Sequence, residues 1–122
     1  MAVKWATDPI KAQRLRHEQK AYNQLEELQG ICIPRLVASG PLGDGTGHFI
    51  ALERIQGEML KLQHRKKAAI MESALKAVRS VHSKGVLHMD LNVRNIMVAV
   101  DGRVWLLDFS HANLDLDSFT AE

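Results

Sequence analysis

The sequence predicts an α+β fold in which a small antiparallel sheet carries one helix and is followed by a second helix and a short hairpin. Two segments place apolar residues at helical spacing, which indicates two amphipathic helices. Short apolar runs bounded by glycine and other turn residues indicate strands. Asp101-Gly102, between two apolar runs, is the strongest signal for a tight hairpin in this chain.

The first predicted strand is AVKWA, residues 2–6. Side chains alternate across a strand, so Val3 and Trp5 face one side while Lys4 faces the other with its alanine neighbours. The strand therefore presents a single cation on one face.

The first predicted helix begins after Asp8-Pro9, a pair typical of an N-cap followed by proline in the first helical turn. It is expected to run to about Gln29, with Gly30 as its C-cap. One face carries a carboxylate among apolar and aromatic side chains: Leu15, Glu18, Tyr22 and Leu25.

Glu18 is thus expected to point inward, where a carboxylate is costly unless it is paired. Lys4 on the preceding strand is the obvious partner. The alternative, from helical spacing alone, is that Glu18 lies at the boundary of the face and reaches solvent.

Two further strands are predicted at residues 33–40 and 48–55, joined by the glycine-rich stretch at residues 40–47. This stretch superficially resembles a phosphate-binding loop. Such a loop should lead into a helix, whereas alternating residues follow this one, which favours a flexible hairpin connection.

The second predicted helix covers residues 65–84 and ends at Ser83-Lys84-Gly85. Its apolar stripe consists of Ile70, Ala74, Ala77, Val78 and Val81. The basic run at residues 64–67 is interpreted as the solvated start of this helix.

Residues suited to magnesium and phosphate chemistry cluster in HMDLNVRN, residues 88–95, and DFS, residues 108–110. The predicted hairpin carries Asn95 at one end and Asp108 at the other, so the two should lie close together. Carboxylate and amide oxygens are ligands that Mg²⁺ prefers. Taken singly, each such residue could equally bond its local backbone in a turn. His88 is expected to be a packed residue that supports Asp90, since the chain has no cysteine pair or helical histidine pair suited to zinc.

This pattern resembles the protein-kinase-like superfamily, in which H-R-D-L-x-x-x-N is followed by D-F-G. The resemblance implies that Asp90 is the catalytic base and that Asn95 and Asp108 bind the metal. It also implies that Arg94 steadies the γ-phosphate. Lys4 and Glu18 correspond to the lysine and helix glutamate that pair and clamp the phosphates in that family.

The resemblance further implies a nucleotide pocket next to a hinge at ALERIQGE, residues 51–58. Leu52 would line its back, and backbone groups of Glu53 and Ile55 would bond the adenine. Met97 would form the floor and Ala2 the roof. The alternatives are a plain strand that ends at Gly57 and a methionine that only fills the core.

The chain also departs from the family pattern. Met89 replaces the arginine that reads a phosphorylated activation loop, and Ser110 replaces the glycine of D-F-G. The glycine-rich loop would precede Ala2, and most of the C-terminal lobe would follow the DFS motif. We therefore expect a partial kinase-like domain over residues 1–122, with a remnant N-terminal lobe and hinge at 1–56 and the start of the C-terminal lobe at 57–122.

The leading hypothesis is an ATP- and Mg²⁺-dependent phosphotransferase acting on a protein hydroxyl. One alternative is a small-molecule kinase of the aminoglycoside or choline kinase type, which shares the His-x-Asp and Asn pattern. Another is a kinase-derived binding or regulatory fragment with weak or no catalysis. Without a covering lobe, the apolar stripe of the second helix is expected to be exposed and to favour self-association.

Composition narrows the class of protein to which the chain can belong. With 122 residues, 46% of them hydrophobic and 25% charged, the chain suits one globular domain. A net charge of +2 is too small to indicate nucleic-acid or membrane binding. The single cysteine, Cys32, excludes an internal disulfide and suits a reducing compartment, so a cytoplasmic location is expected.

Overall fold

A computed structural model describes residues 1–114, and within this range it contains three α-helices and six strands. The helices are α1 (Pro9–Gln24), α2 (Leu62–Arg65) and α3 (Ala68–Ser83). The strands are β1 (Ala2–Ala6), β2 (Leu36–Leu42), β3 (Gly47–Leu52), β4 (Gly57–Met59), β5 (Ile96–Ala99) and β6 (Val104–Leu106). They form two antiparallel three-stranded sheets, in the orders β1-β3-β2 and β4-β5-β6. The predicted α+β class is confirmed.

Helix α1 begins where the sequence predicted, because the Asp8 carboxylate accepts a hydrogen bond from the amide of Lys11 at 3.0 Å. The predicted end at Gln29 is wrong: α1 stops at Gln24, and a 3₁₀ turn follows at Glu26–Leu28. The reason is the side chain of Gln29, which donates to the carbonyl of Tyr22 at 2.8 Å. That carbonyl therefore needs no further helical amide.

The first sheet has β3 at its centre, paired with β1 on one side and β2 on the other. The glycine-rich stretch forms the β2–β3 connection, with φ of +61° at Gly43 and +96° at Gly45. It is a hairpin connection, as expected. Strand β3 ends at Leu52 rather than at residue 55, because the chain leaves the sheet at the predicted hinge and enters the second sheet at Gly57.

The second sheet contains the predicted hairpin, in which β5 and β6 pair antiparallel around Asp101-Gly102. Gly102 has a φ of +84°, and its amide donates to the carbonyl of Ala99 at 2.9 Å. Beyond the strands, the amide of Leu107 donates to the carbonyl of Asn95 at 2.8 Å. The hairpin thus brings the two ends of this segment together.

The helix predicted at residues 65–84 corresponds to α3, which begins at Ala68, and the separate one-turn helix α2 precedes it. Lys67 adopts an extended conformation, with φ −97° and ψ 112°, and serves as the N-cap of α3. The preceding turn is fixed by His64, a buried side chain whose Nδ1 accepts the amide of Lys61 at 2.9 Å. This contact closes α2 within one turn.

The expectation that the α3 stripe is exposed is wrong. Its four core positions are at most 8% exposed, and Val78 is half-buried. The N-terminal part of the stripe packs against Leu60, Val98 and Val104 of the second sheet and its flank. Self-association through this stripe is therefore not supported, because the second sheet already covers it.

The main core is continuous across both sheets and the helices between them. Its members include Tyr22 of α1 and Leu25 just after it, Ile50 and Leu52 of β3, Val81 of α3, Leu106 of β6, and Phe109, which follows β6. The predicted division of the domain at residues 56 and 57 falls between β3 and β4 and stays a prediction. Its second part reaches residues 115–122, which lie outside the described residues. Among residues 1–114, every helix is too short or too polar to cross a bilayer.

Two isoleucines of one loop provide a test of this core. Ile33 is fully buried, whereas Ile31 is 57% exposed. We expect Ile33→Ala to lower the free energy of unfolding by about 2–5 kcal/mol, since a buried isoleucine leaves a cavity. The matched control Ile31→Ala should change it by less than about 0.5 kcal/mol. Urea denaturation measures both, and equal effects would contradict the described packing.

Candidate active site

Lys4 of β1 and Glu18 of α1 form a salt bridge. The Lys4 Nζ lies 3.1 Å from Oε1 and 3.0 Å from Oε2 of Glu18. Glu18 is fully buried, whereas 38% of the Lys4 side chain is exposed. The carboxylate needs this partner because burying an unpaired charge is costly. The predicted contact and the inward orientation of Glu18 are both confirmed.

Glu18 also binds the segment that follows β6. The amide of Phe109 donates to Oε2 of Glu18 at 3.0 Å, in a fully buried position. The Phe109 ring packs edge-on against Tyr22 at 5.4 Å and is tilted against His88 at 4.7 Å. One carboxylate therefore fixes the residue that directly follows Asp108.

His88 connects the loop after α3 with the end of the hairpin. Its Nδ1 accepts the amide of Asp90 at 3.1 Å, and its Nε2 lies 2.6 Å from the carbonyl oxygen of Leu107. A carbonyl can only accept, so the proton is on Nε2. The side chain is 2% exposed. The prediction that His88 is a packed residue supporting Asp90 is confirmed.

Two amide side chains hold the carboxylate of Asp90. Nδ2 of Asn95 donates to its Oδ2 at 3.2 Å and to its backbone carbonyl at 2.9 Å. Nδ2 of Asn92 donates to Oδ1 at 3.2 Å. Asn92 is itself fixed as the N-cap of a 3₁₀ turn, since its Oδ1 accepts the amide of Arg94 at 2.9 Å. The Asp90 side chain consequently has a defined orientation toward Asn95.

Asp108 is an ionised carboxylate at neutral pH. Its Oδ1 accepts the Ser110 hydroxyl at 2.6 Å and the Ser110 amide at 3.2 Å, and lies 3.8 Å from Nζ of Lys4. Burial raises the pKa of Asp108, but the Ser110 hydrogen bonds together with Lys4 and His111 hold it below its ordinary value of 3.8.

Backbone strain coincides with these residues. Among residues 1–114, the non-glycine residues with positive φ are Met89 at 69° and Asp108 at 59°. This region is disfavoured for residues with a Cβ, and such strain is found preferentially at functional sites. One of these residues directly precedes Asp90 and the other is Asp108 itself, so the strained backbone coincides with two of the candidate residues.

A cavity of about 350 Å³ lies between the two sheets, within the usual size range of small-molecule sites. Eight predicted site residues line it: Ala2, Lys4, Leu52, Glu53, Ile55, Asn95, Met97 and Asp108. Four lining residues were not predicted: Tyr22, Pro34, Arg54 and Leu107.

The remaining predicted residues, Glu18, Asp90 and Arg94, do not line the cavity. Asp90 is hydrogen-bonded to the lining residue Asn95, and Glu18 is hydrogen-bonded to the lining residue Lys4. Arg94 is exposed, with its Nε 3.5 Å from Oδ1 of Asn92. The structure thus brings Asn95 and Asp108 to one cavity and bonds Asp90 to Asn95 outside its lining, while the functional roles of the three residues stay a prediction.

The sequence contained a signal for some of the missed residues. Tyr22 lies one helical turn after Glu18, on the face already assigned inward. Pro34 carried no such signal. It reaches the cavity because the neighbouring Arg35 pairs with Glu53, whose amide donates to the Arg35 carbonyl at 2.9 Å. Because this bond uses the Glu53 amide, the backbone group that Glu53 can offer a ligand is its carbonyl.

The donor set fits Mg²⁺. Asn95 donates both of its side-chain hydrogen bonds from Nδ2, so its Oδ1 remains an acceptor. Asp108 contributes an ionised carboxylate from the opposite strand end. In residues 1–114 no three His, Cys, Asp or Glu side chains form a self-sufficient metal cluster. Few protein ligands are typical of magnesium, which keeps waters and phosphate oxygens in its shell.

Comparison with known proteins agrees with this geometry. Residues 42–118 match the family model of the protein kinase domain. The chain is 33% identical over 121 residues to a probable SapB synthase of Streptomyces coelicolor and 32% identical over 118 residues to a probable casein kinase I homolog of Encephalitozoon cuniculi. It is 25% identical over 126 residues to the serine/threonine-protein kinase PknH of Mycobacterium tuberculosis.

These alignments cover 82%, 88% and 96% of this chain, in the same order, but only 12%, 36% and 19% of the relatives. The family match includes the hinge, Asp90, Asn95 and Asp108, and the longer alignments extend over most of the chain. The chain belongs to the protein kinase family, a family of phosphotransferases.

Proposed function

We propose that this chain binds ATP with Mg²⁺ and transfers the γ-phosphate to a hydroxyl group of a protein. One observation carries the proposal. The Lys4–Glu18 ion pair, Asn95 and Asp108 meet at a single cavity, and Asp90 is hydrogen-bonded to Asn95 at its edge.

The apolar part of the cavity suits a purine ring. Ala2 and Met97 would enclose its two faces, with Leu52 at the back of the pocket. The carbonyl of Glu53 and the backbone of Ile55 are the hinge groups proposed to bond the adenine edge. The hydrogen bond from the Glu53 amide to the Arg35 carbonyl keeps this segment extended.

The polar part of the cavity suits the phosphates. The Lys4 ammonium is held by Glu18 while part of it stays exposed, so it is positioned to contact phosphate oxygens. Asn95 and Asp108 would hold the cation. When bound, Mg²⁺ offsets the negative charge on the β- and γ-phosphate oxygens. Arg94 is proposed to steady the γ-phosphate from the exposed side of the loop.

Asp90 is proposed as the base that accepts the proton of the incoming hydroxyl. Each of its carboxylate oxygens accepts a hydrogen bond, from Asn92 and from Asn95. These bonds orient the carboxylate before the acceptor arrives, which limits the reorganisation needed during transfer. Positioning matters more than covalent participation in this reaction class.

The names of the relatives favour a protein acceptor over a small molecule. PknH is a serine/threonine-protein kinase, and another relative is a stress-activated protein kinase of Caenorhabditis elegans. We therefore propose serine or threonine hydroxyls as acceptors. A kinase acting on an aminoglycoside or choline is the competing hypothesis to be tested with those compounds.

Nucleotide binding should be weak and should depend on both Mg²⁺ and Asp108. Calorimetric titration of the 122-residue chain with ATP should give measurable affinity with Mg²⁺ and at least about a tenfold loss in Asp108→Ala, since a charge-assisted metal contact disappears. Asp101→Ala, which removes an exposed carboxylate at the distal turn, is the matched control and should bind like the wild type. Binding that is indifferent to both the metal and Asp108 would contradict a kinase-type site.

Phosphotransfer should depend on Asp90. Incubation with radiolabelled ATP and a serine/threonine peptide library should give labelled peptide, and Asp90→Asn should reduce the rate by about 10²-fold or more, since the general base is lost. The Asp101→Asn variant should retain the rate. Mg²⁺-dependent binding with no transfer to peptides would support the binding-fragment hypothesis instead, and transfer to an aminoglycoside or choline alone would support the small-molecule one.

A further inference from the structure

The segment after Asp108 is a tight turn that helix α1 holds at both ends. The amide of Ala112 donates to the carbonyl of Phe109 at 3.1 Å, which closes the turn. At its start, the Phe109 amide donates to Glu18. At its end, Nε2 of His17 lies 2.5 Å from the carbonyl oxygen of Ala112 and must be the donor. Consecutive residues of α1 therefore fix the two ends of this turn.

The tip of the turn consists of Ser110 and His111, whose side chains point back to the acidic residues. The Ser110 hydroxyl is 2.6 Å from Oδ1 of Asp108. Nδ1 of His111 lies 3.2 Å from that hydroxyl oxygen and 3.8 Å from Oδ2 of Asp90. The turn thus joins the proposed metal ligand to the proposed base.

The protons in this chain of contacts can be assigned. A hydroxyl has one hydrogen, and a carboxylate can only accept, so Ser110 donates to Asp108. The Ser110 oxygen can then only accept from His111, which places a proton on Nδ1 of that ring. Both hydrogen bonds from Ser110, from its hydroxyl and its amide, go to the same atom, Oδ1 of Asp108. The other carboxylate oxygen, Oδ2, is left for a cation.

We propose that Ser110 is a positioning residue that holds the Asp108 carboxylate in its metal-binding orientation through its hydroxyl group. Asp108 needs such support because its backbone has a φ of 59° and its side chain remains 36% exposed. A glycine at position 110, as the family pattern has it, could supply the amide bond but not the hydroxyl bond. This inference rests on the proposed function, since it concerns the same metal-dependent nucleotide site.

The test is a double-mutant cycle on Mg²⁺-dependent binding of a non-hydrolysable ATP analogue, measured by calorimetry. Ser110→Ala should weaken binding in Mg²⁺ by about 10-fold or more, the usual effect of one hydrogen bond to a charged group. Ser110→Thr keeps the hydroxyl and should stay within about twofold of the wild type. In the Asp108→Asn background, Ser110→Ala should change the affinity by less than about twofold, because the group it positions is already altered.

Two further measurements separate positioning from a general structural effect. Without Mg²⁺, the wild type and Ser110→Ala should bind the analogue equally, whereas a distorted pocket would weaken binding in both conditions. Ser80→Ala removes a hydroxyl on α3 that, within residues 1–114, donates to the carbonyl of Lys76, and it should match the wild type throughout. Thermal unfolding verifies that each variant is folded.

The outcomes are distinguishable from those of the proposed function. If the wild type binds the analogue with Mg²⁺ and Asp108→Asn weakens this binding, but Ser110→Ala has no effect, only the role of Ser110 is refuted. Additive effects of the two substitutions would also refute it, because the hydroxyl would then act on something other than Asp108. If the wild type shows no Mg²⁺-dependent binding, the proposed function fails and this inference fails with it.

Discussion

The arrangement of the site depends on the contacts made by the buried carboxylate of Glu18. This carboxylate accepts hydrogen bonds from the ammonium of Lys4 on β1 and from the amide of Phe109 beyond β6. A fully buried carboxylate tolerates the loss of such partners poorly, because the remaining charge would be desolvated without compensation. The strand, the helix and the segment after Asp108 are therefore fixed relative to one another. If α1 moved outward, Lys4 and Phe109 would lose their common partner together.

A second set of contacts fixes the half of the site that is proposed to receive the acceptor. His88 binds the amide of Asp90 with one ring nitrogen and the carbonyl of Leu107 with the other, and its ring packs on Phe109. The Phe109 ring thus packs against His88, which supports Asp90, while the Phe109 amide donates to Glu18. The half of the site proposed to bind phosphate and the half proposed to carry the base share one aromatic residue, and its contacts hold the strained backbone at Met89 and Asp108 in place.

Features set by neighbouring residues were predictable from the sequence. The Asp8-Pro9 start of α1 and the hairpin at Asp101-Gly102 follow from spacing within one or two turns of the chain. Spacing alone left the direction of Glu18 open, and the family resemblance favoured the inward pairing that the structure has. The residue types and order of Asp90, Asn95 and Asp108 likewise identified the family and predicted their convergence, because a hairpin of known length connects the last two. For the site, sequence reasoning found eight of the twelve residues that line the cavity.

Features set by contacts between distant residues were decided only by the tertiary structure. Helix α1 ends early because the side chain of Gln29 satisfies a carbonyl within it, and Pro34 reaches the cavity only through the pairing of its neighbour with the hinge. The α3 stripe is covered because the second sheet packs on it, which no periodicity within the helix could reveal. Glu18 and Phe109 are in contact although they lie 91 positions apart in the sequence. Periodicity reports which face of an element is apolar, whereas the identity of the residue that meets that face depends on the packing of the whole chain.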